Sequence, residues 1–166
     1  MASVKIGKPS LFFKNYMAMI GNSLKTKMFR NFYLNVNGEE KDILENGRLS
    51  CAVFVSSVLI LQGLIQGPPR GPHAIVKSLV KNMEDASWKK IKKPRPGAVL
   101  IWEPMKIGER VTDHVGFFWD NVSAISNNSE WGTPQIHHWT YGVKGPASDE
   151  PFRKVIAIYW HDKLGK

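Results

Sequence analysis

Cys51 is the only cysteine of the chain, and it is accompanied by five histidines: His73, His114, His137, His138 and His161. These are the side chains able to act as nucleophile or base near neutral pH. Cys51 opens an apolar run, GRLSCAVFVSSVLILQGLIQG (47–67), instead of sitting inside it. Asn46-Gly47 reads as a stop for the preceding segment, and Ser50 as an N-cap for a helix from Cys51 to about Ile65. A thiol in the first turn lies beside unpaired backbone N–H groups and the positive end of the helix dipole. Both favour thiolate, so a depressed thiol pKa is expected, and the same N–H groups can hold an oxyanion. A cysteine nucleophile also needs a base that is itself oriented by a third polar group. His114 opens the strongly strand-like HVGFFWD (114–120) and is the candidate base. His137 and His138 adjoin on a strand pattern and must face opposite sides, so they make no chelating pair. One of them could line the cleft. His73 and His161 carry no local signal. No Cys, His and carboxylate set has metal-ligand spacing, and no cofactor motif is present.

These residues must be positioned by two unlike halves. In the first, Phe12, Phe13, Tyr16, Met17, Ile20, Leu24 and Met28 recur at helical spacing. A turn is expected at Val36-Asn37-Gly38, then a short helix over 39–45, the buried cysteine helix, a loop over 67–72, and a helix over 74–83 with Ile75, Leu79 and Val80 inward. In the second half, AVLIW (98–102), HVGFFW (114–119), SAIS (123–126), QIHHWTY (135–141) and VIAIYW (155–160) read as strands. Helices followed by strands imply an α+β domain with an antiparallel sheet of about five strands and the cysteine helix packed on one face. Trp102, Trp119, Trp131, Trp139 and Trp160 are expected in the core and cleft walls.

The ordered set S-C-A-V-F-V (50–55), P-G-A-V-L-I-W (96–102) and H-V-G-F-F (114–118) resembles the NlpC-type cell-wall cysteine peptidases of the papain-like superfamily. The resemblance covers about residues 45–160. It implies a papain-like fold and a bacterial or phage thiol hydrolase that cleaves an amide in a peptidoglycan stem peptide or a muramoyl amide. Residues 1–45 match nothing in the family core and are expected to form a helical cap on a single domain spanning 1–166. Ser50 stands where the family has Asp, Ala52-Val53 where it has Ser-Gly, and ENGRL (45–49) where it has Tyr-x-x-Gly-Gly.

The family's third polar residue lies on the strand after the histidine strand, where Ser126, Asn127 and Asn128 are available. A two-residue Asp120-Asn121 turn pairs Trp119 with Val122 and sets Asn127 opposite His114. A three-residue loop is expected to put Ser126 there instead, plain family spacing also points to Ser126, and a bulge could produce either. Asn127 is the assignment carried forward, because an asparagine orients an imidazole more firmly than a serine hydroxyl does.

The formal net charge is +9, which favours an anionic partner such as a cell-wall polymer. The run WKKIKKPRPG (88–97) holds part of that charge and reads first as a solvated connector. No recognition motif for a specific nucleic-acid sequence accompanies it. The apolar run over 52–65 is too short and polar to span a bilayer. Lys8, Pro9, Lys14 and Asn15 interrupt any N-terminal apolar core, so no standard secretion signal is expected. Two other readings remain: a thioesterase, acyltransferase or deamidase acting inside a cell on the same scaffold, and a non-catalytic basic binding module.

Overall fold

The twelve residues after Ser10 build the first helix, and Ser10 caps it by accepting a hydrogen bond from Phe13 N. The computed structural model describes residues 10–69, 71–107 and 109–165. Its elements are helix α1 (Leu11–Asn22), strands β1 (Tyr33–Val36) and β2 (Glu39–Asp42), helices α2 (Cys51–Leu61) and α3 (Val76–Asp85), and strands β3 (Lys89–Lys90), β4 (Val99–Ile107), β5 (Arg110–Phe118), β6 (Ser123–Asn128), β7 (Thr133–His138) and β8 (Val155–Trp160). The architecture is α+β. A six-stranded sheet has the order β3-β8-β4-β5-β6-β7 with antiparallel pairings, and β1 with β2 forms a separate two-stranded sheet. No helix of the described residues is long and apolar enough to cross a membrane. The N-terminal reading at residues 1–9, and Arg70 in the expected 67–72 loop, lie outside the described residues.

Helix α2 is buried on most sides: Ala52, Val53, Phe54, Val55, Val58 and Leu59 are all core residues. Phe54 meets Phe117 of β5 edge-on with ring centroids 5.4 Å apart. This face of β5 carries Val115 and Phe117, and period-two alternation turns His114 and Gly116 to the opposite face. Tyr16 of α1 is fully buried against Phe117 and donates to Gly97 O at 2.8 Å. Helix α1 therefore belongs to the same apolar core as the sheet.

Several expectations are corrected. The helix expected over 39–45 is strand β2 and a turn. Asn37 and Gly38 both have positive φ, which closes a two-residue hairpin and pairs Val36 with Glu39. The helical cap expected over 1–45 is thus part hairpin. Helix α2 stops at Leu61, short of Ile65. Ser50 holds the N-cap position, but its hydroxyl makes no capping bond and is buried without a partner. Ile75 is exposed where an inward residue was expected, while Leu79 is buried. Trp131 is exposed. Lys89-Lys90 of the basic run is the edge strand β3 on β8, and Arg95 lies over the Trp160 ring, so only part of the run is solvated connector.

Candidate active site

The sheet opens where the site forms. Strands β5 and β6 pair over Gly116↔Ser126, Phe117↔Ile125 and Phe118↔Ala124. Past Gly116 towards Arg110 the ladder to β6 ends, and the start of α2 meets that edge. The Cys51 thiol lies 3.9 Å from the Asp113 carbonyl oxygen, to which it can donate. The backbone N–H groups of Val115, Ala52 and Cys51 itself are directed at the sulfur. Cys51 and His114 line one cavity of about 290 Å³, at the lower edge of the roughly 300–1,000 Å³ usual for small-ligand pockets.

His114 sits in an aromatic and hydroxyl cluster on the sheet face away from α2. Its cross-strand partner Trp102 packs on it with ring centroids 5.2 Å apart, and Trp102 Nε1 donates to Trp139 O. His114 Nε2 lies 2.9 Å from Ser126 Oγ. Ser126 Oγ is also 2.7 Å from His137 Nε2 and 3.1 Å from the Tyr141 hydroxyl. His137 Nδ1 is 2.8 Å from the His138 carbonyl oxygen.

The proton positions follow from that last contact. A carbonyl only accepts, so His137 Nδ1 carries hydrogen, and in the neutral ring Nε2 is the acceptor. Burial holds His137 below the ordinary histidine value, which keeps it neutral. Ser126 therefore donates its one proton to His137 and accepts from His114 Nε2–H and the Tyr141 hydroxyl. His114 Nδ1 is left with the lone pair and makes no hydrogen bond among the described residues. The chain of contacts fixes the tautomer of His114, with hydrogen on Nε2.

Ser126, not Asn127, is the residue at the imidazole, which corrects the sequence assignment. Trp119 N donates to Ser123 O, so the β5–β6 loop has three residues, Asp120, Asn121 and Val122. Asp120 Oδ1 accepts from Val122 N at 3.1 Å and Ser123 N at 2.9 Å, which stabilises this longer loop. Continuing the observed register sets position 128 opposite 114, and Ser126 becomes the diagonal neighbour on the same face. Gly116, directly opposite Ser126, makes the diagonal possible. A Cβ there would lie 2.6 Å from Ser126 Cβ and 3.1 Å from the Trp102 ring. Asn127 faces the α2 side and donates to Gly47 O at 2.7 Å, tying down the loop that leads into Cys51. Its Oδ1 is buried without a partner.

The expected low-pKa thiolate is corrected too. Burial pushes the Cys51 thiol above its ordinary value, and the surrounding N–H groups and Arg153 only partly oppose this. His114 is held well below the ordinary histidine value by burial first, then by the Arg153 charge. Among the described residues no hydrogen bond joins Cys51 to His114. The resting pair is a neutral thiol and a neutral imidazole. The iodoacetamide reaction of Cys51 in the folded protein should accordingly rise with pH to a midpoint above 9.0, the ordinary thiol value. A midpoint below about 8.5, the range of a free peptide thiol, contradicts this assignment of charge.

Tyr141 and Arg153 are site residues that sequence reasoning missed, and His137 was only allowed as a cleft residue. Tyr141 stacks on His137 with centroids 4.1 Å apart, and burial pushes its hydroxyl up to about 12. Its backbone is left-handed (φ 59°), a conformation that costs a non-glycine residue about 1 kcal/mol or more. The only available signal for His137 is register: it pairs with Ala124, which turns it to the Ser126 face. His138 accepts from Thr140 and Gly142 and plays no part at Cys51. His73 and His161 lie in other contacts, with Ser78 and with the Ala86 carbonyl. Among the described residues no group of three or more His, Cys, Asp or Glu could hold a metal ion.

A scan against protein-family models finds no match to this chain. A search of curated proteins finds none either.

Proposed function

We propose that the chain is a papain-like thiol hydrolase that cleaves an amide through a thioester on Cys51. The observation that carries the reading is the shared cavity wall: a thiol at an uncapped helix start, and a histidine whose Nε2–H is held by Ser126, itself bonded to His137, so that Nδ1 is free to accept a proton. In the first step Cys51 Sγ attacks the carbonyl carbon as its proton passes to His114 Nδ1. The first-turn N–H groups of α2 receive the negative oxygen, an effect worth a few kcal/mol in comparable sites, of order 3. The C–N bond then breaks and the His114 proton leaves on the amine. In the second step His114 takes a proton from water, which attacks the thioester and releases the acid and the thiol. Ser126 and His137 hold the imidazole in one orientation and stabilise the imidazolium each time it forms.

The amide of a peptidoglycan stem peptide or a muramoyl amide is the proposed substrate. The resemblance in the cysteine and histidine segments supports it, and a net charge of +9 suits an anionic wall. The test is to incubate the protein with muropeptides, quench with acid, and measure intact mass and newly freed amino groups. Expected are an acyl adduct on Cys51 and a released amine. Release of the same amine by Cys51→Ala sinks the proposal, as does the absence of any adduct or product.

A further inference from the structure

We infer that Arg153 is the receptor for a carboxylate that the substrate carries beside its scissile bond. The inference deepens the hydrolase reading and rests on it for the word substrate. Arg153 lies just before β8, is 4% exposed, and lines the Cys51 cavity. Its Nε donates to Glu103 O at 3.0 Å and its Nη2 to Thr112 O at 3.3 Å. Both acceptors are backbone carbonyls of β4 and β5. Among the described residues no carboxylate lies within ion-pair distance of it, and Nη1 makes no hydrogen bond to the protein.

The other arginines of the cavity are in a different state. Arg48 pairs with Glu45 at 2.7 Å, and Arg110 pairs with the same carboxylate. Asp113 is the carboxylate on the cavity wall. It acts on Arg153 only from beyond contact, as Glu103 does. Three arginines thus face two carboxylates, Glu45 and Asp113, and one net positive charge remains over the cavity. Arg153 is the arginine with no carboxylate in contact, and its guanidinium cannot shed its proton. Among the described residues its one other contact is with the Tyr141 ring, 6.0 Å away at the limit of a cation–π interaction. Burying a cation without a counter-charge is costly, and two carbonyls could be bridged by a neutral amide at lower cost. A carboxylate in the cavity would supply the missing partner through Nη1. A single negative charge fits the balance, whereas a dianion would face Asp113.

The position fixes where on the substrate that carboxylate sits. Arg153 Nη2 donates to Thr112 O, one residue before the Asp113 carbonyl that the Cys51 thiol meets, and its guanidinium lies 6.0 Å from the Tyr141 ring centroid, so it stands on the same cavity wall as Cys51 and His114. The oxyanion has its own donors at the start of α2. The carboxylate is therefore a separate group, close to the carbonyl that Cys51 attacks.

Two alkylating agents that differ only in charge test this without any hydrolysis. Iodoacetate and iodoacetamide both form an Sγ–C bond at Cys51 as the C–I bond breaks, iodide leaves and the thiol proton goes to buffer. The ratio of their rates cancels the thiolate fraction. In the wild-type protein that ratio should exceed the ratio for free cysteine by about tenfold or more. The excess should saturate with iodoacetate and fall when acetate competes. Arg153→Gln should bring the ratio to the free-cysteine value, and Arg153→Lys should keep part of the excess in a chain shown by circular dichroism to be folded. A wild-type ratio equal to that of free cysteine overturns the proposal. So does an excess that survives Arg153→Gln, or, should that variant not fold, one undiminished in Arg153→Lys. Because the readout needs only a thiol, a protein that fails to cleave muropeptides can still pass it, and an active hydrolase can still fail it.

Discussion

Changing His114 to alanine is expected to lower kcat on the amide substrate by about a thousandfold or more, the upper part of the usual range for a general acid–base group. The iodoacetamide profile of Cys51 should stay close to wild type. The two expectations belong together. His114 is held neutral by burial and by the Arg153 charge, and no hydrogen bond joins it to the thiol. In the proposed mechanism it does not lower the thiol pKa at rest and takes the proton only during attack. An ion-paired site would behave differently, because loss of the imidazolium would move the alkylation midpoint upward. A clear upward move in His114→Ala would therefore refute the neutral-pair mechanism even if turnover were lost. In the wild-type enzyme the acid limb of kcat/KM reports protonation of His114, and it should fall below the ordinary histidine value of 6.5. A limb at or above 6.5 would assign the base to another group.

The second large effect separates two neighbours on one strand. Ser126→Ala should lower kcat by roughly ten- to hundredfold, the equivalent of one hydrogen bond to a charged group at about 1.5–3 kcal/mol. Its stability should fall too, by about 1–3 kcal/mol, because the buried hydroxyl holds His114, His137 and Tyr141. Asn127→Ala should cost stability without that loss of kcat. It removes the bond to Gly47 O on the buried side of β6 and should cost about 1–3 kcal/mol of stability. In a chain of this size that lowers Tm by about 2–4 °C for each kcal/mol. Turnover measured well below Tm should stay within a few-fold of wild type, on the order of the error of an indirect effect. His137→Ala combined with Ser126→Ala should add little to the kcat loss of Ser126→Ala alone, because the hydrogen-bond path from His137 to His114 runs through that hydroxyl. Full additivity would show a separate role for His137. The opposite pattern for the two single variants would restore Asn127 as the orienting residue.

The difference between those two residues shows where local pattern stops being informative. The strand over 114–119 and its successor are readable from β-branched and aromatic residues. The loop between them is not, because its length depends on which backbone groups the Asp120 carboxylate reaches. One added loop residue changes every cross-strand partner. The β1–β2 hairpin was hidden for another reason. Its Asn37-Gly38 turn is a strong signal, but Glu39, Glu40, Lys41 and Asp42 lack the apolar alternation of a strand. Their pairing comes from the turn geometry and from Asp42, whose carboxylate accepts from Phe32 N, Leu44 N and Asn46 N.

The candidate nucleophile and the candidate base were legible in the sequence by itself. There is one thiol, it begins an apolar helix, and one histidine opens the strand that the helix must cover. Local spacing determines such placements, because helix starts and strand alternation need only a few adjacent residues. The charge state of that pair, the serine that orients the histidine, and the place of Arg153 were decided by the tertiary structure alone. Arg153 is about a hundred residues from Cys51 in the chain, yet its charge reaches the thiol. A pKa and a diagonal contact are each set by groups that the fold gathers from α2, β4, β5, β6, β7 and the segment before β8. No window of the sequence contains them together, so no local pattern can encode the result.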